Sequence, residues 1–162
     1  MARIKIGNLY KAQTELGDLS KDMLVWSFDG IAIKPACIKR DGVSDSGQKP
    51  VLELRLRDGS RIVATADHKI MTSRGWVQMA DLDPRHLVMT ATGFSSPRGM
   101  PTPAGTAPTF DITCEADPNF VANGIVVHNS GKGFIVALLA RMYSRHRVLC
   151  LFNSVDLVLQ TR

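Results

Sequence analysis

The sequence predicts a mostly β protein of antiparallel strands and hairpins, followed by a short α/β tail. Asx-Gly pairs lie between runs of strand-forming residues, and such pairs supply the positive φ that tight hairpins need. These pairs are Asp29-Gly30, Asp58-Gly59 and Asn123-Gly124. Before the second pair, Leu52, Leu54 and Leu56 alternate with charged residues, which indicates a strand with one solvated face. After Asn129 the pattern changes to a helix followed by a buried strand, which is typical of α/β folds.

Short segments connect these strands. The run IGNLYKAQTELGDL, residues 6–19, is a candidate short helix, and WVQMADLDPRH, residues 76–86, is a short turn-rich piece. Residues 92–109 are rich in Pro, Gly, Ser and Thr without a hydrophobic period. That composition predicts a flexible loop.

The last part of the chain forms a second predicted unit. GFIVALLARMYSRHR, residues 133–147, predicts an amphipathic helix, and VLCLFNSVDLVLQTR, residues 148–162, predicts a buried strand, a turn and the start of another helix. We therefore divide the chain into a β domain at residues 1–129 and an α/β segment at residues 130–162.

Composition and charge narrow the class of protein. The 162 residues are 44% hydrophobic and 22% charged, as in an ordinary globular protein. No apolar run approaches the roughly 20 residues that span a bilayer, and the first residues lack the apolar core of a secretory signal. The net charge of +5 belongs mainly to residues 130–162, which hold 5 Lys/Arg against 1 Asp/Glu, whereas residues 1–129 hold 15 against 14. This distribution weakens a nucleic-acid-binding role for the β domain.

The cysteines predict neither disulfides nor metal binding. Cys37, Cys114 and Cys150 are widely spaced and form no Cys-x-x-Cys motif. Together with the histidines they match no usual pattern for a disulfide framework or a zinc site. We therefore expect no metal site and a reducing, cytoplasmic setting, in a microbial or phage-infected cell.

The tripeptide His128-Asn129-Ser130, at the junction of the two predicted units, carries a specific chemistry. An asparagine side-chain nitrogen can attack its own main-chain carbonyl, which closes a succinimide and cuts the chain after the asparagine. A preceding histidine can protonate the leaving nitrogen. A following hydroxyl can accept an acyl group, because the resulting ester later rearranges to the more stable amide. Alone, the tripeptide is weak evidence for this chemistry, because most His-Asn-Ser sequences are surface turns or strand ends.

Two longer segments resemble the splicing motifs of inteins, the self-excising domains of the Hint fold. TFDITCEADPNFVANGIVVHNS, residues 109–130, resembles the C-terminal splicing blocks. DGSRIVATADHKIMTSRGWVQMADL, residues 58–82, resembles the block that contains Thr-x-x-His. The resemblance covers about residues 3–129, and it implies a horseshoe-like Hint fold that lacks its first strand.

The resemblance also implies a set of catalytic residues. These are Thr65, His68, Asp111, His128, Asn129 and Ser130. The resemblance implies that, in the first half of splicing, Thr65 and His68 hold the strained scissile amide and His68 protonates the departing nitrogen. Ser130 Oγ then attacks the thioester or ester, while Asp111 orients or deprotonates the attacking groups.

In the second half of splicing, Asn129 cyclises with help from His128, and the ester at Ser130 rearranges to a peptide bond. The reaction implied by the resemblance needs no metal or cofactor and occurs once per molecule. Ordinary structural interpretations remain for single residues: His68 as a buried or loop histidine, and Asp111 as a strand-end cap. Cys114 is expected to pack in the core rather than to react.

Two departures from the intein pattern matter. Many inteins carry a histidine where this sequence has Pro118, so any role of that histidine is absent or belongs to another residue, such as Asp111 or Cys114. The first splicing block, with its Cys or Ser nucleophile, is missing before IKIGNLY, residues 4–10. This resembles an atypically split intein, whose short N-terminal fragment is a separate chain, and an engineered truncation is the alternative. The loop at residues 92–109 is too short for a homing endonuclease, which implies a minimal intein.

The tail resembles part of a superfamily 2 helicase. SGKGFIVALLARMY, residues 130–143, resembles the end of a Walker A loop and its helix, in which main-chain N–H groups and a lysine bind phosphates. Gly131 and Lys132 are the matching residues, although Gly133 stands where Ser or Thr is usual. Because the first half of the loop is absent, ATP and Mg²⁺ are expected to bind only the ligated host protein.

The sequence therefore favours a trans-splicing domain. Its expected partner is an N-terminal intein fragment that carries the first Cys or Ser and the N-extein, the segment to be ligated. Nucleic acid is an expected partner of the spliced host protein only, and no membrane is expected. The alternatives are a fragment of an ATP-dependent helicase with an unrelated β domain, and a Hint-like domain that cleaves itself without ligation.

Overall fold

The computed structural model describes residues 4–17, 23–115 and 117–129. The chain divides into two units, Met1–Asn129 and Ser130–Arg162. The predicted α/β tail and the residues Ser130, Gly131 and Lys132 lie outside the described residues, so the predictions for them are not addressed by the structure.

The described residues are mostly β-strands, as predicted. One helix, α1, covers Ile6–Leu16, and the short 3-10 turn covers Met79–Asp81. The strands are β1 Leu24–Phe28, β2 Ile33–Arg55, β3 Arg61–Ala64, β4 Lys69–Thr72, β5 Gly75–Gln78, β6 Val88–Thr90, β7 Gly93–Ser95, β8 Thr102–Cys114, β9 Asn119–Ala122 and β10 Ile125–His128. Within the described ranges, no helix is long and apolar enough to cross a membrane.

The strands form two antiparallel sheets. In the first sheet, β2 pairs with β1, β3 and β8. In the second sheet the order is β5-β4-β10-β6-β7, and β9 pairs with β10. The turn after β3 passes from the first sheet to the second, and so does the segment between β8 and β9. The two sheets therefore meet near the end of β10.

The predicted hairpins are confirmed at all three Asx-Gly pairs. The β9–β10 hairpin has Asn123 and Gly124 in its turn, with φ values of 49° and 85°. Positive φ at both central residues is the requirement of the tightest hairpin turn, and Asn-Gly meets it with little strain. This turn fixes the register of β10, because Ile125 pairs with Ala122 and His128 pairs with Asn119.

The predicted flexible loop at residues 92–109 is wrong for most of its length. Residues 93–95 form β7, and residues 102–109 form the first part of β8, which pairs with residues 47–53 of β2. The composition of this segment is typical of a loop, but pairing with a long neighbouring strand satisfies its main-chain groups. Register shifts in that pairing accommodate the Pro and Gly residues of both strands.

A close approach at Gly42 explains one of those shifts. Between the pairs Ile38–Cys114 and Val43–Ile112 the register slips. A Cβ atom at Gly42 would lie 2.6 Å from the carbonyl oxygen of Lys39 and 2.8 Å from that of Thr113. Only glycine fits such a contact between main chains.

The helix α1 packs against the first sheet, and buried apolar residues form the core. Gln13 Nε2 donates a 2.8 Å hydrogen bond to the carbonyl of Val43, and the Val43 N–H donates to Gln13 Oε1 at 3.0 Å. The Tyr10 ring contacts Phe110 at a centroid distance of 5.6 Å. The most deeply buried apolar side chains come from both sheets and from the segments beside them: Leu54, Leu56, Ile70, Met79, Leu82, Val88, Ile125, Val126 and Val127. The short helix predicted within residues 6–19 is thus confirmed over Ile6–Leu16, and it packs onto β2 and β8.

Candidate functional site

The Thr65–His68 segment is a tight turn between β3 and β4. The main-chain N–H of His68 donates a 3.1 Å hydrogen bond to the carbonyl of Thr65, which closes the turn. The following 3-10 turn holds it in place, because the Met79 N–H donates to the His68 carbonyl at 2.8 Å and the Ala80 N–H donates to the Ala66 carbonyl at 2.9 Å. The Thr-x-x-His motif is therefore a rigid element at the junction of the two sheets.

The imidazole of His68 lies in a partly buried, charged environment. Burial is the main cause that lowers the pKa of His68 below its usual value of 6.5. The negative charges of Asp111 and Asp67 act in the opposite direction, and the charge of His128 lowers the pKa further. A histidine with a lowered pKa is neutral near pH 7, so it can accept a proton and release it readily.

Asp111 brings a carboxylate from the first sheet to this site. It lies near the end of β8 and pairs with Ser44 of β2. Its Oδ1 atom is buried from solvent, and its charge reaches His68. The charge of Asp111, from the first sheet, thus acts on His68 in the turn between β3 and β4, and both residues belong to the set that the intein resemblance implies.

His128 is the last residue of β10 and contacts an aromatic ring. Its imidazole packs edge-on against the indole of Trp76 on β5, with ring centroids 4.9 Å apart and an interplanar angle of 87°. Such T-shaped contacts are favourable and directional. The contact fixes the His128 ring at the end of the strand, next to the residue whose side chain would cyclise.

Asn129 follows β10 and is only 3% exposed. Its main-chain N–H donates a 2.7 Å hydrogen bond to the carbonyl of Pro118, just before β9. This bond continues the β9–β10 ladder by one residue beyond His128 and Asn119. The asparagine is therefore held in an ordered, water-poor position, where an intramolecular attack is favoured by orientation.

Solved structures with a similar architecture are inteins. The chain is 28% identical to a DnaB intein from Synechocystis sp. PCC 6803, with a TM-score of 0.66, over 80% of this chain and 88% of that chain. It is 27% identical to a variant of the Ssp DnaB mini-intein, with a TM-score of 0.60, over 67% of this chain and 76% of that one. The chain has the Hint fold of inteins.

A third neighbour supports the same fold. The DnaX mini-intein from Spirulina platensis is 24% identical, with a TM-score of 0.58, over 65% of this chain and 81% of that chain. No protein-family model and no curated protein sequence matches the chain. The mostly β Hint fold expected from the intein-like motifs is thus confirmed by three-dimensional similarity.

Within the Hint domain, most of the predicted site residues lie near one another. The charges of Asp111 and His128 both act on His68, Thr65 closes the turn that carries His68, and Asn129 follows His128. Ser130 lies outside the described residues. The catalytic roles of these residues stay predictions, and the structure contributes their arrangement.

A buried polar cluster beside Asn129 has no counterpart among the residues predicted from the sequence. Asn119, 4% exposed, accepts a hydrogen bond from the Phe28 N–H at 2.8 Å and donates one to the Phe28 carbonyl at 2.8 Å. Ser27, which is fully buried, donates to Asn119 Oδ1 at 3.1 Å. The only local signal was an asparagine at the start of an apolar strand, which is too common to predict a site.

The thiol of Cys114 is poorly suited to replace the histidine that many inteins have at the position of Pro118. Cys114 is buried, and burial together with the charge of Asp117 raises its pKa to about 11. A thiol with this pKa stays protonated at neutral pH, which favours the packing interpretation. Across residues 4–17, 23–115 and 117–129, no group of three or more His, Cys, Asp or Glu could hold a metal ion.

Proposed function

We propose that this chain is a protein-splicing domain that works in trans. The structural likeness to inteins supports protein splicing as the function of the domain. The single observation that carries the proposal is the position of Asn129, buried and hydrogen-bonded at the end of β10, directly after a histidine fixed by Trp76. Such a position suits cleavage of the chain after Asn129.

Cyclisation of Asn129 releases the domain. Its side-chain nitrogen attacks its own carbonyl carbon, and the bond from that carbon to the nitrogen of Ser130 breaks. A proton moves to the leaving nitrogen, and His128 is the residue positioned to supply it. Burial excludes water, which would otherwise compete with the side-chain nitrogen.

The earlier steps use the turn and the carboxylate. Thr65 and His68 hold the N-terminal scissile amide, and His68 transfers a proton to its departing nitrogen as the acyl group moves to a side chain. The lowered pKa of His68 suits it to give up that proton. Ser130 Oγ then takes the acyl group, Asp111 orients the attacking groups, and the final ester rearranges to an amide.

We assign the first nucleophile to a separate fragment. A first nucleophile must adjoin the flanking segment that it releases. Within the described residues, Cys37 and Cys114 lie inside β2 and β8, and each is flanked on both sides by the domain itself. In this proposal, a short N-terminal fragment that carries Cys or Ser and the N-extein supplies the first nucleophile and completes the reaction.

The proposal assigns residues 130–162 to the host protein, which is the protein that splicing joins together. The tail at residues 130–162 is the start of a helicase-type C-extein, in which Gly131 and Lys132 join a phosphate loop after ligation. Splicing itself uses no metal or cofactor, whereas the ligated host binds ATP, Mg²⁺ and nucleic acid. The reaction takes place in the cytoplasm and involves no membrane.

Complementation tests the proposal directly. The full chain is mixed with a matching N-fragment that carries a tagged N-extein, and products are followed by intact mass. We expect a ligated product that joins the tag to residues 130–162, together with a released domain that ends at Asn129. Cys37→Ala serves as the control, because its exposed thiol has no role in the proposed steps.

Two variants separate ligation from cleavage. Asn129→Ala should stop release of the domain and leave the branched intermediate, and Ser130→Ala should allow cleavage after Asn129 without ligation. Ligation by Asn129→Ala would contradict the mechanism. Cleavage without any ligation in the unmodified chain would instead support a self-cleaving Hint domain.

A further inference from the structure

We propose that Asn119 is a positioning residue for the cyclisation of Asn129. It acts through the carbonyl of Pro118, which accepts the Asn129 N–H, and through the main chain of Phe28, to which its own side chain is bound. This inference rests on the proposed splicing function, and it adds a residue to which the intein-like motifs assign no role.

The side chain of Asn119 makes the same pair of hydrogen bonds to the main chain of Phe28 that a neighbouring strand would make. Its carboxamide oxygen accepts from the Phe28 N–H, and its carboxamide nitrogen donates to the Phe28 carbonyl, both at 2.8 Å. The two bonds together restrain both the position and the orientation of the amide, as a β-bridge would. Since Phe28 ends β1 of the first sheet and Asn119 starts β9 of the second, this pair joins the two sheets by hydrogen bonds.

A second contact strengthens the junction. The hydroxyl of Ser27 lies 3.1 Å from Asn119 Oδ1 and 3.4 Å from Asp117 Oδ2. Residues 117 and 119 flank Pro118, and both side chains reach the same buried hydroxyl of β1. The carbonyl of Pro118 is therefore fixed from each side relative to the first sheet.

Pro118 makes Asn129 depend on this anchor. The Asn129 N–H donates to the Pro118 carbonyl at 2.7 Å. An antiparallel pair of this kind normally contains two ladder bonds, but proline has no N–H and can supply only the acceptor. Pro118 thus contributes one ladder bond to the main chain of Asn129, and the position of its carbonyl is set by the neighbouring Asn119.

Loss of the anchor should slow cyclisation more than the other steps. The reacting nitrogen and carbonyl both belong to Asn129, and a displacement of about 1 Å in such a geometry can slow a reaction by about 100-fold. Thr65 and His68 lie on a turn that has its own hydrogen bonds to Met79 and Ala80. The first acyl shift should therefore be affected little.

The test uses the full chain with its N-fragment and compares Asn119→Ala with Phe120→Leu. Phe120 is also buried and lies next to Asn119, but its side chain has no part in the polar cluster. In Asn119→Ala we expect release after Asn129 to slow by about 10- to 100-fold, while hydroxylamine-induced cleavage at the N-terminal junction changes by about 2-fold or less. Phe120→Leu is compared under conditions in which the same fraction of protein is folded. In this variant the ratio of the rate of release after Asn129 to the rate of N-terminal cleavage should equal the ratio in the unmodified chain.

Two further variants refine the comparison. Asn119→Asp keeps the shape but places a carboxylate oxygen against the Phe28 carbonyl, so it should be at least as slow as Asn119→Ala. Ser27→Ala leaves both bonds to Phe28, so it should have a smaller effect than either. Equal rate ratios in Asn119→Ala and Phe120→Leu would overturn the inference.

Hydrogen exchange tests the geometry without splicing. In the full chain alone, the Asn129 amide should exchange at least about 10-fold faster in Asn119→Ala than in the unmodified protein, whereas Phe120→Leu should change it less. Unchanged protection would overturn the inference. A third outcome separates the two proposals. If the unmodified chain and its N-fragment give no cleavage or ligation, but the Asn129 amide loses protection in Asn119→Ala, the proposed function fails while the role of Asn119 in positioning Asn129 stands.

Discussion

The indole of Trp76 meets the imidazole of His128 edge-on, with ring centroids 4.9 Å apart. Trp76 lies on β5 and His128 on β10, two strands separated by β4 in the second sheet. The contact crosses one strand of the sheet and holds the histidine that precedes Asn129. It thereby links Trp76, to which the intein resemblance assigns no role, to the proposed proton donor of the cyclisation.

Removal of this contact should slow the release step. T-shaped aromatic pairs contribute about 0.5–1.5 kcal/mol, which corresponds to about a 2- to 10-fold change in rate if the whole of it serves to orient His128. We expect Trp76→Ala to slow cleavage after Asn129 by that factor and Trp76→Phe to recover most of the rate. An unchanged rate in Trp76→Ala would show that the ring does not orient His128.

The pKa of His68 should respond in opposite directions to changes in its two charged neighbours. The charge of Asp111 raises this pKa and that of His128 lowers it. Asp111→Asn should therefore lower the pKa of His68 further, and His128→Ala should raise it. NMR titration of the imidazole measures both shifts, and shifts of the same sign would contradict the arrangement.

The same histidine should make stability depend on pH. Its pKa is lower in the folded state than the usual 6.5, so below about pH 6.5 the unfolded state binds more protons. The stability associated with neutral, partly buried His68 is fully present above that pH, and it is lost as the pH falls through the folded-state pKa. Urea unfolding at about pH 7.5 and about pH 5.5 should show a smaller fall in the free energy of unfolding for His68→Gln than for the unmodified chain.

A methyl group at Gly42 should destabilise the domain. The added Cβ would lie within 3 Å of two main-chain carbonyl oxygens, and overpacking of this kind costs about 1–3 kcal/mol. Gly99→Ala is the matched control, because a Cβ there meets no atom within 4 Å and needs no positive φ. Equal free energies of unfolding for the two variants would contradict the close approach in β2.

The two cysteines of the described strands should differ in reactivity. Cys37 is exposed, whereas Cys114 is buried with a pKa raised to about 11. We expect a maleimide to label Cys37 in the folded chain well before Cys114, and both at similar rates in denaturant. Peptide mapping by mass identifies the labelled residue, and early labelling of Cys114 would contradict its assignment to the core.

Local patterns predicted the hairpins because their determinants are local. Asn123-Gly124 supplies positive φ within the turn itself. The strand at residues 102–109 was missed because its stability comes from β2, far away in the sequence. No local signal distinguishes a Pro- and Gly-rich loop from an irregular strand that a long partner accommodates.

The site residues that lie in motifs were predicted, whereas the contacts between distant segments were not. His68, His128 and Asn129 were predicted because each lies in a motif that resembles an intein block. The bonds of Asn119 to Phe28 and the contact of Trp76 with His128 were missed, since both join residues that are distant in sequence. Such contacts depend on how the two sheets meet, which only the folded chain specifies.

The most direct test of the account is the intact mass of the domain released after complementation. Cyclisation of Asn129 predicts a domain that ends in a succinimide, lighter by one water than the same domain ending in free Asn129. A ligated product that begins its C-terminal part at Ser130 should accumulate with it. A released domain that ends at another residue, or one that carries a free Asn129 carboxylate from the earliest time points, would contradict the account.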